Sequence, residues 1–458
     1  MNIRLYKILA LILVFSMFTV SSCEEWIDPE LNEDPDALTD VSMKSLLANS
    51  QFAFFFVMGD ADMRGYSAAW TKHLRGADRQ FLAVNNYNIG PGDMNNMWDS
   101  FYEDDLEGLQ LLKQKAAEQE SPHFTGAAKV LEAASLGALT DYIGPLPYSD
   151  AFKGESGVFQ PKWDSQEVIY GTINTLLTEA ISDLGTPAGE NKVPLSGDIV
   201  YQGDVDKWIA LAHSLRARYN MHLSMRGESD YGQAVSDLNN GISSLEGDFE
   251  MPWETSLAKA NPMHQFVRER SGYMVDNDFF QNFIDGDPRK PKLYLGGASG
   301  PWGYWYQASS PVMFMDYPEC MFLKAEAQYR NNNASGARAS LKTAIQASLE
   351  KLGVEGGSWW TSLSSTIDGA SGDDLLELIM EQKYIHDFGN PPNAYVDFRR
   401  TGYPDELFDN PNVGETPVDF PDRFPFPTDE IELNQNTPDW TTIYNNLWIF
   451  PNDHPEES

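Results

Sequence analysis

Cysteine and basic residues are scarce in this chain. It has 458 residues but only two cysteines, Cys23 and Cys320, and 32 lysines and arginines against 68 aspartates and glutamates. Two cysteines are too few for a disulfide-rich scaffold. A hydrophobic core must therefore hold the fold together, and 42% of the residues are hydrophobic. Cys320 lies in the predicted helical segment MFMDYPECMFLKAEAQY, and we expect it to be a buried apolar residue rather than a nucleophile.

The formal net charge of −36 excludes several classes of partner. Nucleic acids bind clustered lysines and arginines, in which this chain is poor. The same balance argues against adhesion of the protein body to an anionic lipid surface, and it is typical of a soluble extracellular surface. No second apolar stretch of about 18 residues follows the N-terminal one, so no transmembrane helix is predicted.

The common catalytic and cofactor motifs are missing as well. The chain has no Walker loop, no GxGxxG after a strand, no HExxH and no GxSxG. The closest histidines, His213 and His222, lack a helical metal-binding spacing, and segment 276–289 lacks the ligand spacing of an EF-hand. Adjacent acids fall on predicted helices and point in different directions, so no pair is marked as catalytic. We therefore predict no catalytic residue, no metal site and no cofactor.

The N-terminus has the organisation of a secretory signal. Arg4 and Lys7 form a positive region, residues 8–20 form a short apolar region, and two serines precede Cys23. A cysteine at that point is typical of a bacterial lipoprotein, in which cleavage exposes the thiol for lipidation. An ordinary signal peptide cut near Ser22 is the alternative. We predict a signal peptide over residues 1–22, a lipidated acidic tether over residues 23–40 and a single domain over residues 41–458.

Helical periodicity dominates the remainder of the chain. It predicts a helix from the N-cap Ser42 to about residue 57, and further helices over 93–119, 122–142, 164–184, 204–225, 231–242, 316–330, 334–352 and 373–388. Long segments rich in glycine, proline, asparagine and aromatic residues separate them, at 59–92, 143–163, 185–203, 244–315 and 389–446. The predicted fold class is mostly α with little β structure and long aromatic-rich loops. Segment 319–353 is similar to a tetratricopeptide helix–turn–helix unit, with generic antiparallel helix packing as the alternative.

Aromatic residues in the predicted loops are the candidates for ligand contact. Flat rings beside amide and charged groups suit sugars, whose C–H faces pack on the ring while their hydroxyls bond the polar groups. Packing of these rings between helices and loops is the alternative. The candidates are Trp302, Tyr304, Trp305 and Tyr306 in GPWGYWYQ, Trp70 and Arg75 in YSAAWTKHLR, Asn86 and Tyr87 in NNYN, and Trp359 in GGSWW.

Six short segments follow one another along the chain. They are LTDYIGPLPYSDAF at 139–152, DGDPR at 285–289, YPECMFLKAEA at 317–327, LIMEQKYIHDF at 378–388, AYVDFRRTGYP at 394–404 and DRFPFPTDEIELNQN at 422–436. With Cys23, this order resembles the SusD/RagB family of outer-membrane nutrient-binding lipoproteins, and its SusD-like subgroup in particular. We interpret Arg399, Arg400 and Arg423 in these segments as scaffold residues that pair with helix acids or cap carbonyls.

The resemblance implies a tetratricopeptide-like scaffold of helix pairs, in a protein held at the cell surface of the outer membrane by its lipid anchor only. It implies capture of an oligosaccharide or other nutrient oligomer and delivery to a partner TonB-dependent, SusC-like transporter, without bond cleavage. Ligand residues vary between family members, so none is carried over. Two alternatives stay open: a peptide-capturing transporter lid without a sugar site, and a helical glycoside hydrolase, for which the sequence marks no acid pair.

Overall fold

Pairs of antiparallel helices form most of the described structure. The computed structural model describes residues 41–294, 303–407, 420–439 and 442–451. The predicted signal, the tether with Cys23, and the candidate Trp302 lie outside these residues. Within them, no helix has both the length and the apolar character needed to cross a membrane.

The helices and strands have the following bounds. The α-helices are α1 Met43–Gly59, α2 Tyr66–Trp70, α3 Arg79–Asn85, α4 Asn95–Asp99, α5 Glu107–Glu118, α6 Pro122–Ile143, α7 Gln166–Leu184, α8 Val205–His222, α9 Tyr231–Asn240, α10 Pro262–Glu269, α11 Asp278–Phe283, α12 Lys290–Leu293, α13 Tyr317–Arg330, α14 Ala334–Lys351, α15 Gly357–Gly369, α16 Asp373–His386, α17 Pro391–Thr401 and α18 Thr428–Leu433. Short strands form three antiparallel ladders, β1 Leu74–Gly76 with β5 Met274–Asp276, β2 Leu146–Pro147 with β3 Trp163–Asp164, and β4 Phe249–Met251 with β6 Val312–Met315. The prediction of a mostly α fold with little β structure is confirmed.

Small residues allow the central helices to approach closely. Helix α6 is buried on nearly all sides and packs against α7 and α8. A Cβ atom on Gly137 of α6 would lie 2.1 Å from the ring of Tyr219 on α8, and one on Gly126 would lie 2.6 Å from Leu184 on α7. Helices α13 and α14 form the tetratricopeptide-like pair, and Asn333 in the turn between them caps α14 through Gly336 N–H at 3.0 Å.

Buried ion pairs hold the C-terminal helices to this scaffold. Arg400 on α17 binds both carboxylate oxygens of Glu326 on α13, at 2.5 and 2.7 Å. Arg399 donates to the carbonyls of Asp141 and Asp422, and Arg423 donates to the carbonyl of Phe424. These contacts confirm the scaffold interpretation of the three arginines.

Several predicted loops contain helices that the sequence reading missed. Helix α17 lies inside the predicted loop 389–446, with Pro391 in its first turn. The prediction that Trp359 lies in a loop is wrong, because GGSWW begins α15, and Trp359 and Trp360 pack against the core cluster of α13, α14 and α16. Predicted helix 93–119 is interrupted by a π-helical turn over Ser100–Leu106.

Candidate ligand-binding surface

Four aromatic rings form a continuous stack where three connecting segments meet. Tyr102 lies between Phe152 and Trp98, with centroid distances of 5.9 and 4.5 Å and interplanar angles of 22° and 29°. Trp163 extends the stack beyond Trp98, at 5.6 Å and 21°. We call these four residues the aromatic stack. Offset stacking of this kind is one of the two arrangements that aromatic pairs prefer.

The backbone around these rings explains how they come together. Trp98 and Tyr102 lie four residues apart, on α4 and on the π-helical turn that follows it. Such widened turns occur frequently at functional sites. The β2–β3 ladder brings Trp163 to the same place, and the Tyr102 hydroxyl donates to the carbonyl of Pro147 on β2 at 2.9 Å. Phe152 has a φ of +58°, a left-handed conformation that costs a non-glycine residue about 1–2 kcal/mol.

One end of the stack is open to solvent. Trp98 is 4% exposed, but Phe152 at the end is 36% exposed and Phe159 in the same loop is 82% exposed. The loop is fixed to the segment that follows α18, because Asn434 Nδ2 donates to the Pro161 carbonyl at 3.0 Å and Asn436 Nδ2 donates to the Gln160 carbonyl at 2.8 Å. The exposed rings are therefore held by ordered backbone.

A small cavity lies beside the Trp163 end of the stack. Phe426 packs edge-on against Trp163 at 4.6 Å and also lines this cavity of about 240 Å³. The other lining residues include Tyr87, Ile89, Tyr444 and the buried Arg423, whose guanidinium lies 4.3 Å from the Phe426 ring. We call the aromatic stack, Phe159, Phe426 and α18 together the loop surface.

Carboxylates surround the middle of the stack. Burial and the neighbouring carboxylates of Glu430 and Asp164 raise the pKa of the Tyr102 hydroxyl. Burial also raises the pKa of Glu430, although hydrogen bonds from Asn434 and the Trp98 indole oppose the shift. Asp164 accepts from the Ser149 N–H at 2.6 Å and from its hydroxyl at 2.7 Å. These acids are acceptors placed close to aromatic faces, an arrangement that suits a ligand with hydroxyl or amine donors.

Among the described residues, the Trp163 indole nitrogen has no hydrogen-bond partner. A buried donor without a partner is costly and rare in folded proteins. A ligand acceptor that reached this nitrogen after a small ring movement would satisfy it.

Of the residues predicted from sequence, Tyr87, Asn86 and Trp70 lie next to the loop surface. Tyr87 lines the cavity, and its ring meets that of Trp70 edge-on at 6.0 Å. Trp70 is fully buried and donates its indole N–H to the carbonyl of Val84 at 2.9 Å. Asn86 is half-buried at the C-terminal end of α3. Trp70 therefore supports the surface from behind, and a ligand role for Tyr87, which is 7% exposed, and for Asn86 stays a prediction.

The other predicted residues are distributed elsewhere. Trp305 and Tyr306 are 1% and 0% exposed, and the ring of Trp305 packs against Gly389 and Lys351. Tyr304 is half-buried and meets Trp305 edge-on at 4.9 Å. The rings of Trp305 and Tyr306 contact protein, so they could stack on a sugar only if the surrounding loop rearranged. A role in binding sugar stays a prediction, and Tyr304 is the most accessible of the three residues.

Arg75 and Trp359 are more accessible but lie apart from each other. Arg75 is exposed on β1, and Trp359 is half-buried on α15, with the guanidinium of Arg289 5.7 Å from its ring. Neither is joined to the aromatic stack by a ring contact or hydrogen bond within the described ranges. A ligand role for each of them stays a prediction.

The sequence reading missed Trp98, Tyr102, Phe152 and Trp163. The signal was present, because Trp98 and Tyr102 have the helical spacing of four and the loop 143–163 was already marked as rich in glycine and aromatic residues. Their convergence depends on the β2–β3 ladder, which has only two residues in each strand. Strands that short leave no periodic pattern.

A larger groove of about 520 Å³ lies between α7, α8 and α9, away from the stack. Its charged groups already bond one another, with Arg216 Nε 3.0 Å from Asp237 and Asn220 Nδ2 2.7 Å from the Asp230 carbonyl. Its two tyrosines, Tyr170 and Tyr219, are buried. This groove therefore offers no open aromatic face. In the part of the chain that the structure describes, no group of three histidine, cysteine, aspartate or glutamate side chains could hold a metal ion.

Comparison with known families identifies the fold. A SusD-like family model described as "Starch-binding associating with outer membrane" matches residues 35–427. The chain belongs to the SusD-like family. This membership confirms the resemblance seen in the sequence and makes the protein one of a family of outer-membrane-associated binding proteins.

Solved SusD-like structures share the same architecture. A SusD/RagB family protein from Bacteroides thetaiotaomicron is 22% identical over 87% of this chain and 95% of its own, with a TM-score of 0.73. A chitin-binding protein is 23% identical over 90% of this chain and all of its own, with a TM-score of 0.76. A chitin-binding SusD homolog from Flavobacterium johnsoniae is 21% identical, covering 84% and 93% of the two chains, with a TM-score of 0.71. Identities this low show the fold and not the ligand. No curated protein matches this chain.

Proposed function

We propose that this SusD-like protein is a cell-surface lipoprotein that captures a glycan on its loop surface and delivers it to a partner TonB-dependent, SusC-like transporter. The single observation that carries the ligand assignment is the aromatic stack with its open end at Phe152 and Phe159. A pyranose ring can pack on the exposed Phe152 face and place its hydroxyls near Asp164 and Glu430.

Capture without cleavage fits the acids at this surface. The Asp164 carboxylate already accepts two hydrogen bonds from Ser149, at 2.6 and 2.7 Å. Glu430 accepts from two neighbours. The family is one of binding proteins, and we assign no bond-breaking role to either acid.

Binding is tested by affinity gel electrophoresis of a soluble form that starts after Cys23, against chitin, starch and other polysaccharides, with product analysis for each. We expect retardation without products. The variant Phe152→Ala/Phe159→Ala should bind about ten- to hundredfold more weakly, because each stacked ring contributes about 0.5–1.5 kcal/mol beyond its buried area. The matched control is Phe52→Ala/Phe56→Ala. It removes two exposed rings of α1 that pack against Trp253 and lie outside the loop surface.

Unchanged retardation of the Phe152/Phe159 variant, with an unchanged melting temperature, would remove the loop surface from the proposal. Released sugar would favour the hydrolase alternative. Retardation by no polysaccharide, together with binding of peptides, would favour the peptide-capturing lid.

Anchoring and delivery need the full-length chain in cells. We expect a labelled fatty acid to be incorporated into the wild type and not into a Cys23→Ser variant. We also expect the lipidated protein to be cleaved by protease added to intact cells and to co-purify with a TonB-dependent transporter. A protein without lipid label, or one protected from protease, would contradict the surface assignment.

A further inference from the structure

The rim of the loop surface carries acids and very few bases. Segments 91–106 and 424–439, which contribute Trp98, Tyr102 and Phe426, contain no lysine or arginine. Segment 148–164 contains two lysines: Lys153 is paired with Asp150 at 3.1 Å, and Lys162 is exposed. Arg423, which precedes the second segment, is buried with its guanidinium 4.3 Å from the Phe426 ring. Acids outnumber bases in these three segments, so the local electrostatic potential around the exposed rings is negative. This local excess adds to the negative net charge of the whole chain.

Several of these acids lie close to the rings and to each other. The Glu430 carboxylate accepts a hydrogen bond from the Trp98 indole. Asp164 lies on β3, near enough to Tyr102 for its charge to act on the Tyr102 hydroxyl. Partial burial raises the pKa of Asp99, which is next to Trp98. The nearby charges of Glu103 and Asp429 raise it further. These acids come from three segments that are separate in sequence, so the fold assembles the charge at the place where the rings are exposed.

We propose that the loop surface prefers glycans built from amino sugars with free, protonated amines, such as deacetylated chitin, over neutral and anionic glycans. This inference rests on the proposed function, because it concerns the ligand class of the same surface. The ring faces suit a flat, C–H-lined partner, and the surrounding carboxylates favour a cation over an anion. An amino sugar supplies both in every residue, and a protonated amine above a ring face gains a cation–π contact as well. A sulfated or carboxylated glycan meets repulsion at the same positions.

A basic peptide is the other cationic ligand that such a rim could attract. The parallel rings favour the sugar over a lysine-rich peptide, since the lysine side chain has no flat face that could stack on them. Oligolysine therefore serves as a probe of charge alone.

The test is isothermal titration of the soluble protein with hexamers of glucosamine and of N-acetylglucosamine, at a pH at which the free amines are protonated. We expect the glucosamine hexamer to bind about tenfold more tightly at low salt, because a few exposed ion pairs of modest strength add to the same stacking. The difference should shrink at high salt, which screens exposed charges. Oligolysine of equal charge should bind more weakly than the glucosamine hexamer.

Paired variants separate local charge from net charge. Asp429→Asn/Glu430→Gln should bring the ratio of the two affinities close to one. The control Asp206→Asn/Asp374→Asn removes the same number of acids from the first turns of α8 and α16 and should keep the ratio. Equal or tighter binding of the N-acetylated hexamer would overturn the inference and leave the proposed function standing. Oligolysine binding as tightly as the glucosamine hexamer would overturn it in favour of a peptide. Binding of neither hexamer would overturn the inference, and the polysaccharide panel would then decide the proposed function separately.

Discussion

Replacing Arg400 with methionine is expected to destabilise the protein strongly without touching the loop surface. The Arg400 side chain is fully buried and donates to Glu326 at 2.5 and 2.7 Å and to Asp397 at 2.7 Å. Removing it leaves two buried carboxylates, each with one remaining cation, Arg330 for Glu326 and Lys383 for Asp397. Breaking a buried ion pair costs about 3–5 kcal/mol of unfolding free energy. Because each carboxylate keeps one cation, we expect a loss at the lower end of this range, about 3 kcal/mol. The control Arg330→Met removes a partner that is 22% exposed and should cost about 1 kcal/mol or less.

The assay is urea unfolding of the soluble protein followed by tryptophan fluorescence, at neutral and acidic pH. Burial alone would raise the pKa of Glu326, but the charges of Arg400 and Arg330 outweigh it and lower the pKa. A carboxyl group with a lowered folded-state pKa stabilises the protein above its unfolded pKa of about 4.3, and that contribution is lost as the pH falls through the folded value. The gap in unfolding free energy between wild type and Arg400→Met should therefore narrow below about pH 4. Equal urea midpoints at neutral pH, or a gap that widens in acid, would refute the reasoning.

Three further predictions concern single sites. Phe152→Gly should be more stable than Phe152→Ala by about 1 kcal/mol in urea unfolding, since glycine adopts the left-handed conformation without strain; equal stability would contradict this. Cys320 is 1% exposed and burial raises the pKa of its thiol, so thiol reagents should label the soluble protein only after denaturation; labelling of the native protein would contradict its burial. Gly137→Ala should lower the free energy of unfolding by about 1–3 kcal/mol or more, because the new Cβ meets Tyr219. Gly171→Ala on α7, where nothing lies within 4 Å of the new Cβ, should raise it by about 0.5–1 kcal/mol. A shift of both variants in the same direction would show that the close helix crossing at Gly137 does not limit stability.

The sequence predicted the scaffold well because its helices carry their own signals. Ser42 precedes a helix that does begin at Met43, and Pro122 does begin α6. The burial of Cys320 followed from its place in a predicted helix. These features depend on residues a few positions apart, which a sequence displays directly. The scaffold role of Arg400 was inferred from the scarcity of basic residues, but its partner Glu326 lies 74 positions away and could not be named.

The ligand surface was harder to predict because it depends on distant segments. Trp305 and Tyr306 stood out by local composition, yet a Gly-rich setting does not show whether a ring faces solvent or the core. Trp163 comes next to Trp98 only through a ladder of two residue pairs, and Phe426 comes from the far end of the chain. Local pattern therefore marked Tyr87, which lines the cavity beside the stack, but not the stack itself.

The most direct test of the central claim is amide hydrogen exchange of the soluble protein with and without a chitin or chitosan oligosaccharide that it binds. The account predicts slower exchange in segments 95–106, 148–164 and 424–439, and no change in α7, α8 and α9. Slower exchange confined to the groove between those helices, or to the segment around Tyr304, would contradict the assignment of the ligand to the aromatic stack.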